Sequence, residues 1–410
     1  MPSKPVSARF ATAALCATLG CAGIVLSCSQ GAVRDAMLSS TYRPYATGMP
    51  KPVPFPIAAT SPYVVLAGDM HCHVAPPDST SDVTRGFAET VKLAKQEGLD
   101  FVVLTPHVVS RFFLDEAQRD GVSASQKALR AEIAKTTSPT LFIPGFEYTD
   151  HRFGHVGVSF ADLDAVLADV PVSEAKLHPE KFFESWVAHG GNLVVNHPLV
   201  TPLDSIVSIA RADLSWRPWT SKGPYPAEIL AVDRLAQGYE AYNIPATTLR
   251  DPLLVGRPDV TLLATLEHLD KQIASDARRR SPVGGSDSHG HTLRATTFVL
   301  AKARTIEAIH DALVEGRTCI RSPEACSLEA RAGEGDPWHP IGSALPPASS
   351  LEVRAHGKGI DVFVDGQLVA SPQSDEVVKI APKASGCSVV RVRVDAGYSA
   401  PIYVGCFTEK

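Results

Sequence analysis

Short runs of branched apolar residues alternate with segments of helical periodicity between residues 63 and 322. This alternation is typical of a parallel sheet that is wrapped by helices. About seven such units follow one another, which favours a closed barrel over an open doubly wound sheet. The predicted strands are residues 63–66, 101–104, 141–147, 155–160, 192–198, 239–243 and 282–285.

Side chains that can bind metals occupy the ends of these predicted strands. In a β/α barrel, the loops after the strands form the face that carries catalysis. His71 and His73 alternate along one strand, so both imidazoles project to the same side and can bind one cation. Cys72 then faces the other way. The other candidates at or just past a strand end are His107, Glu147, His197, Asp287 and His289, while His155 opens a strand.

In this order the candidate ligands resemble the motifs of the PHP (polymerase and histidinol phosphatase) superfamily of metal-dependent hydrolases. The resemblance covers roughly residues 63–322 and implies an α/β fold with a distorted seven-stranded β/α (TIM-like) barrel. The strand at 239–243, the turn at 315–317 and the C-terminal module are most similar to the CehA/McbA-type branch. The matching positions are His71, His73, Asp78, His107, Glu147, His155, His197, Asp287 and His289.

The resemblance also implies how these ligands are shared among cations. One cation would be bound by His71, His73, Glu147 and Asp287, a second by Glu147, His155 and His197, and a third by Asp78, His107 and His289. Glu147 would bridge two of them, and the predicted catalytic residues are Glu147, Asp287 and His289. The sequence departs from the family at Pro106, where an aspartate usually precedes the histidine. His107 therefore lacks that orienting carboxylate, and two bound cations are an alternative to three.

Bound divalent cations lower the pKa of water and neutralise charge on a phosphoryl or acyl oxygen. We therefore predict a hydrolase that uses a metal-activated hydroxide, with a phosphoester as the substrate. Mixed imidazole and carboxylate ligands accept zinc, manganese or iron. The alternative reaction is hydrolysis of a carbamate, amide or ester at the same centre. The alternative outside enzymes is a surface lipoprotein that binds without catalysis.

The N-terminus has the pattern of an export signal. Lys4 and Arg9 precede an apolar stretch that ends in Val25-Leu26-Ser27-Cys28, which resembles a lipobox. Residues 1–27 are therefore predicted to be a lipoprotein signal peptide, with a lipid anchor at Cys28 and a periplasmic or surface location, most consistent with the outer membrane. An uncleaved anchor or a plain signal peptide is the alternative. Residues 28–62 form a proline-rich tether, typical of an extended spacer.

The pattern changes after residue 322, where short alternating segments predict a small β-sandwich domain over residues 323–410. Asp365-Gly366 is a hairpin turn signal. Export to an oxidising compartment makes disulfides plausible, and the pairs to test first are Cys319 with Cys326 and Cys387 with Cys406. Cys72 would remain a buried free thiol.

The net charge of −5, with signs interspersed, predicts no basic surface, so nucleic acid is excluded as a partner at this point. The expected partners are a small phosphoester, and a membrane only through the lipid at Cys28. Several further residues have a possible role near the site and an ordinary alternative. Arg111, Arg152 and Arg294 could bind a phosphate or lie on the surface, His151 and His291 could support ligands, and Trp216 and Trp219 could line a pocket or pack.

Overall fold

The computed structural model describes residues 53–54, 62–200, 215–244, 260–290, 293–383 and 385–407 of the 410-residue chain. These residues form a mixed α/β fold with one large sheet, rich in parallel pairs, and one four-stranded sheet. This architecture is consistent with the predicted barrel and additional domain. The predicted signal peptide, Cys28 and almost all of the tether lie outside the described residues.

The strands divide into those of the larger α/β unit and those of the C-terminal module. The first set is β1 (Val53–Pro54), β2 (Val64–Cys72), β3 (Phe101–Leu104), β4 (His107–Val109), β5 (Leu141–Asp150), β6 (Gly154–Ser159), β7 (Asn192–Asn196), β8 (Gly238–Asn243), β9 (Ser281–Gly285), β10 (Thr297–Ala301) and β11 (Thr318–Ile320). The second set is β12 (Glu329–Arg331), β13 (His339–Pro340), β14 (Ala344–Leu345), β15 (Leu351–Arg354), β16 (Asp361–Val364), β17 (Gln367–Ala370), β18 (Val378–Ile380), β19 (Ser388–Val394), β20 (Gly397–Ser399) and β21 (Ile402–Val404).

The helices lie mainly between the strands of the first set. They are α1 (Phe87–Gln96), α2 (Glu116–Lys135), α3 (Leu163–Asp169), α4 (Val172–Ala175), α5 (Glu180–Ala188), α6 (Arg217–Thr220), α7 (Ala227–Leu235), α8 (Val260–Asp276) and α9 (Ile306–Val314), with short 3-10 turns at Ser110–Phe113 and Pro323–Ser327. Asp115 starts α2 by accepting hydrogen bonds from two backbone N–H groups, as an N-cap residue does. Each helix of the described residues is too short or too polar to span a bilayer.

Parallel pairing brings the carboxyl ends of several strands to one edge. β2 pairs with β3, β3 with β5, β7 with β8, and β8 with β9, all in parallel. An isolated parallel bridge between Cys72 and Ser288 joins β2 to the segment after β9. Five-residue strands such as β7 and β9 are buried throughout, as expected for strands covered on both faces. The candidate ligands that follow these strands therefore converge.

One part of the sheet is not parallel. β6 runs antiparallel to both β5 and β7, whereas the sequence pattern predicted parallel strands. The reason is the connection, since β5 ends at Asp150 and β6 begins at Gly154, which leaves too little chain for a helical crossover. The reversed direction places the start of β6 at the edge where its neighbours end. His155 therefore lies opposite Asn196, at the ligand-bearing edge.

Asp69 of β2 connects this strand to the segment that follows β9. Its buried carboxylate accepts a hydrogen bond from the backbone N–H of Ser286 at 2.9 Å, a second from the Ser286 hydroxyl, and a third from the backbone N–H of His71 at 3.1 Å. Burial raises the pKa of Asp69 to about 6, against the lowering effect of these bonds. Asp69 thus supports the backbone behind His71.

The C-terminal module packs against the α/β unit through a continuous sheet edge and a buried ion pair. β11 pairs with β20 through Cys319 and Ser399. Asp270 of α8 and Arg391 of β19 form an ion pair of 2.5 Å, and both side chains are buried. Removing one member of such a pair leaves an uncompensated buried charge, at a typical cost of about 3–5 kcal/mol. The pair therefore stabilises the contact between α8 and β19.

Both predicted disulfides are confirmed. Cys319 is bonded to Cys326, and Cys387 to Cys406, while Cys72 is a buried free thiol. The hairpin turn predicted at Asp365-Gly366 is also confirmed, since it joins antiparallel strands β16 and β17 with positive φ at both residues.

Candidate metal centre

Backbone hydrogen bonds hold the end of β2 beside the segment that follows β9, and each of these two segments carries two candidate ligands. His71 and His73 lie at the end of β2, and Asp287 and His289 follow β9. The backbone N–H of Asp287 donates to the carbonyl of His71 at 2.8 Å, and that of His73 donates to the carbonyl of Ser288 at 3.0 Å. Asp287 has a positive φ of 47°, which is uncommon for a residue with a Cβ.

Four ligand atoms then meet at the spacing of a coordination shell. Nε2 of His71 lies 3.1 Å from Nε2 of His73, 3.3 Å from Oε1 of Glu147 and 3.7 Å from Oδ1 of Asp287. His73 Nε2 lies 3.5 Å from the same Asp287 oxygen. Tetrahedral ligands with bonds of 2.0–2.2 Å are about 3.3–3.6 Å apart, and the four distances lie inside this range or within about 0.2 Å of it. This set therefore fits one divalent cation, with the ligands that the family resemblance implies.

Glu147 lies at the centre of the whole arrangement. Its Oε1 accepts a hydrogen bond from the Asn196 side-chain amide at 2.8 Å and lies 3.1 Å from Nδ1 of His155 and 3.8 Å from Nε2 of His197. Its Oε2 lies 3.5 Å from Nε2 of His107. The side chain is almost fully buried, so the histidines around it replace water as its partners. A carboxylate in this position can be shared between neighbouring cations.

Glu147, His155 and His197 form a second group whose ligand atoms lie within 4.8 Å of one another. Two ring nitrogens of this group, Nε2 of His155 and Nδ1 of His197, are buried without a hydrogen-bond partner. A buried polar atom without a hydrogen-bond partner destabilises a folded protein. One carboxylate and two imidazoles are ligands that a metal ion such as zinc accepts. Nδ1 of His155 and Nε2 of His197 are the nitrogens that face Glu147, so the donor set of one carboxylate and two imidazoles is what suits this group to a cation.

His73, His107 and His289 form a third group. The ring centroids of His107 and of His289 each lie 4.1 Å from that of His73. The composition differs from the family resemblance, which gives the third cation Asp78 where the structure brings in His73. His73 thus belongs to two groups, and the three groups form one continuous cluster with Glu147 between them.

The carboxylate of Asp78 lies behind two of the histidines. Its Oδ2 is 3.1 Å from Nδ1 of His73, and its Oδ1 is 2.9 Å from Nδ1 of His107 and accepts the His107 backbone N–H at 2.8 Å. A carboxylate on Nδ1 orients the ring and favours the tautomer with a free Nε2. Asp78 therefore supplies the orienting carboxylate that Pro106 removes from the usual position before His107. A direct bond from Asp78 to a cation stays a prediction.

The buried charges of the centre stabilise one another. Burial opposes protonation of His71, but the carboxylates of Glu240, Asp287 and Glu147 raise its pKa well above the ordinary value. Burial also opposes ionisation of Glu147, but His155 and His71 hold its pKa well below the ordinary value. Burial lowers the pKa of His155. The carboxylates therefore stabilise positive charge at this point, whether it is carried by a proton on His71 or by a divalent cation that displaces the proton.

Two buried residues behind the ligands were missed in the sequence. Glu240 of β8 places Oε1 3.1 Å from Nδ1 of His71. Arg85 is fully buried and donates to the Ser288 hydroxyl at 2.7 Å and to the Cys72 sulfur at 3.0 Å. Charged residues are seldom fully buried, so a glutamate inside the predicted strand 239–243 was a usable signal for Glu240. Arg85 lies in a loop and had no comparable signal.

The remaining sequence candidates lie around the centre or pack elsewhere. Arg294 pairs with Glu97 at 2.8 Å, and the Arg152 guanidinium lies over the ring of its neighbour Phe153. Trp216 and Trp219 are buried and donate to Asp233, which supports the packing alternative. The His151 ring lies 5.5 Å from that of His155, near the second group. His291 and the side chain of Arg111 lie outside the part of the chain that is described.

No protein-family model and no curated protein matches this chain. Among solved structures, a two-domain protein from Bacteroides vulgatus ATCC 8482, which contains a predicted PHP-like metal-dependent phosphoesterase, is similar at 17% identity and a TM-score of 0.41; the match covers 86% of this chain and 99% of that one. PsfC from Pseudomonas syringae PB-5123 is similar at 16% identity and a TM-score of 0.37, over 61% of this chain and 88% of that one. Endonuclease Q in complex with a 27-mer duplex substrate, with an abasic lesion at the active site, is similar at 14% identity and a TM-score of 0.34, over 61% and 56%.

The exclusion of nucleic acid as a partner is corrected by this last finding. Endonuclease Q holds a duplex substrate, and it is among the structures to which this chain is similar. The exclusion rested on a net charge of −5 for the whole chain. Such an average does not describe the field at a buried centre, where bound cations are often the largest local charges. Overall charge is therefore no ground for removing this class of partner.

Proposed function

We propose that this chain is a PHP-type metal-dependent hydrolase that acts on phosphoesters. The observation that supports it most is the convergence of His71, His73, Glu147 and Asp287 at the spacing of one coordination shell, next to two further groups. Divalent cations in such groups supply water activation and charge neutralisation at a phosphoryl group. We propose zinc, manganese or iron as the ion, in two or three sites.

The residues of the chain have distinct parts in this proposal. Glu147 is shared between groups, and Asp78 orients His73 and His107. Asp287 faces the first group through Oδ1, while its Oδ2 accepts a hydrogen bond from Asn243 at 3.3 Å, which fixes the carboxylate plane. Nδ1 of His289 lies within hydrogen-bond distance of the Asp287 carbonyl oxygen, at 3.0 Å. Nε2 of the same ring lies 3.6 Å from Oδ2 of the exposed Asp82, and in this proposal it binds a cation or exchanges a proton with substrate.

We also propose the finer organisation of the chain. The strand pairings described above support a barrel of seven strands, formed by β2, β3, β5, β6, β7, β8 and β9, in a hydrolase unit over residues 63–322. The C-terminal module over residues 323–410 is proposed as a separate β-sandwich domain. The 2.5 Å ion pair between Asp270 and Arg391 supports a fixed docking of the two.

The reaction class is tested with four nitrophenyl compounds, namely a phosphate monoester, a phosphate diester, a carbamate and a carboxylate ester. We expect zinc- or manganese-loaded wild type to hydrolyse the phosphoesters, and Asp287→Ala to lose this turnover because one ligand of the first group is removed. Glu329→Gln is the matched control, since this buried carboxylate pairs with Arg354 in the C-terminal module. Turnover of the carbamate or carboxylate ester alone would overturn the phosphoester assignment, and turnover by Asp287→Ala would overturn the site.

We propose that the protein is exported and anchored by a lipid at Cys28. The basic residues, apolar stretch and lipobox-like end of residues 1–28 support this. Cells that express the chain are labelled with a radioactive fatty acid. We expect label in the wild type and in Cys72→Ser, and none in Cys28→Ala. A wild-type protein without label would contradict the lipid anchor, and label in Cys28→Ala would contradict the site.

A further inference from the structure

We infer that Glu240 is a positioning residue shared by two metal groups, because its two carboxylate oxygens orient His71 in one group and His197 in the other. The inference rests on the metal centre of the proposed function and deepens it. Glu240 is 2% exposed and lies in the middle of β8, between the strand that carries His197 and the strand that precedes Asp287.

The first oxygen sets the orientation of His71. Glu240 Oε1 lies 3.1 Å from Nδ1 of His71, and Nε2 of the same ring lies 3.1 Å from His73 Nε2. When one ring nitrogen donates to a carboxylate, the tautomer is fixed and the other nitrogen presents its lone pair. Glu240 therefore holds Nε2 of His71 as the ligand atom of the first group.

The second oxygen sets the backbone of His197. Glu240 Oε2 accepts a hydrogen bond from the His197 backbone N–H at 2.8 Å. His197 has a positive φ of 30°, a conformation that side chains with a Cβ seldom adopt. This turn at the end of β7 brings the His197 ring to a centroid distance of 5.1 Å from His155. The bond to Glu240 thus stabilises the backbone on which the second group depends.

A carboxylate is needed because several donors converge on it. Besides His71 and His197, the Asn243 amide donates to Oε2 at 3.2 Å and to Asp287 Oδ2 at 3.3 Å. A glutamine has one acceptor oxygen and one donor NH2 group, so it cannot accept from both His71 and His197 through separate oxygens. Glu240→Gln keeps the size of the side chain, removes the acceptor from one of the two contacts and turns the other from a charge-assisted into a neutral hydrogen bond, so both contacts are weakened.

The test measures Zn²⁺ binding to the full-length protein by competition with a chromophoric chelator, and thermal unfolding of the metal-free protein. We expect Glu240→Gln to weaken two zinc sites together, by about 10–100-fold each, as is typical when a carboxylate behind a metal-binding histidine is lost. Glu329→Gln, the control defined above, should bind zinc as the wild type does. Wild-type affinity in Glu240→Gln, or weakening of a single site, would overturn the inference.

A second measurement needs no variant. In zinc-loaded wild type, ¹⁵N-edited NMR of the histidine rings should show His71 protonated at Nδ1, with slow exchange, and bound to zinc through Nε2. Zinc on Nδ1 of His71 overturns the inference even if Glu240→Gln fails to fold. The two proposals also fail separately. If Glu240→Gln loses affinity at two zinc sites but the wild type hydrolyses no ester, the role of Glu240 is supported and the proposed hydrolase activity is rejected. If the wild type hydrolyses phosphoesters but Glu240→Gln binds zinc normally, the hydrolase activity is supported and the role of Glu240 is rejected.

Discussion

Glu147→Gln is expected to abolish metal-dependent hydrolysis, with turnover reduced by about 10³-fold or more. Glu147 contacts four histidines that belong to three groups, through Oε1 on one side and Oε2 on the other. Loss of one orienting carboxylate behind a single ligand costs about 10–100-fold in affinity or activity. Loss of a central carboxylate that touches three groups must exceed this range.

The measurements for Glu147→Gln are metal content after gel filtration and turnover of the best phosphoester substrate. Glu352→Gln serves as the control, since Glu352 is also buried but pairs with Arg331 in the C-terminal module. We expect the control to retain metal and activity. A Glu147→Gln protein with wild-type metal content and turnover would show that the groups do not depend on a shared carboxylate.

Gly285→Ala is expected to displace His71 and so to abolish metal binding by the first group. A methyl group at position 285 would overlap Oε1 of Glu240 and Cβ of His71, so both side chains must move. Overpacking of this kind typically costs about 1–3 kcal/mol of stability, and here the displaced atoms are a ligand and its hydrogen-bond partner. We expect a lower free energy of unfolding and loss of zinc from the His71 group.

The control for Gly285→Ala is Gly121→Ala. A methyl group at position 121 of α2 has no neighbour within 4 Å. Alanine is favoured over glycine inside a helix by about 0.5–1 kcal/mol, so this variant should be as stable as the wild type or slightly more stable. Urea unfolding and zinc titration on both variants separate the two outcomes. Normal zinc binding in Gly285→Ala would show that His71 and Glu240 do not need their present contact.

The sequence was a good guide to the positions of the candidate ligands because strand ends are a local property. Residues such as His71 and His73 follow an apolar run directly, and parallel pairing then brings distant strand ends together. The disulfide pairs were also predictable, since each joins cysteines that are close in sequence, 7 and 19 residues apart. These features need only local pattern and general rules of topology.

The contacts behind the ligands were not predictable in the same way. The bond between His71 and Glu240 spans 169 residues, and no local pattern specifies which buried acid reaches which ring. The position of Asp78 behind His107 depends on a loop that crosses to another strand. The predicted direction of β6 was wrong because parallel and antiparallel strands share the same pattern of apolar residues. Only the short connection from Asp150 to Gly154 indicates that β6 runs antiparallel to β5.

The reversal of β6 has a consequence for the order in which the centre can assemble. Glu147, His155 and His197 lie on three successive strands, β5 to β7, which pair as sequence neighbours. A short turn joins β5 to β6, and helices α3 to α5 lie between β6 and β7, so both pairings are closer in sequence than the contact between β2 and the segment after β9. Contacts between residues close in sequence form faster on average than contacts between distant ones. His71 and Asp287 come from opposite ends of the α/β unit and meet only when the sheet closes. The first group is therefore complete only when the sheet has closed, whereas the ligands of the second group come from three neighbouring strands, with Glu240 of β8 behind His197.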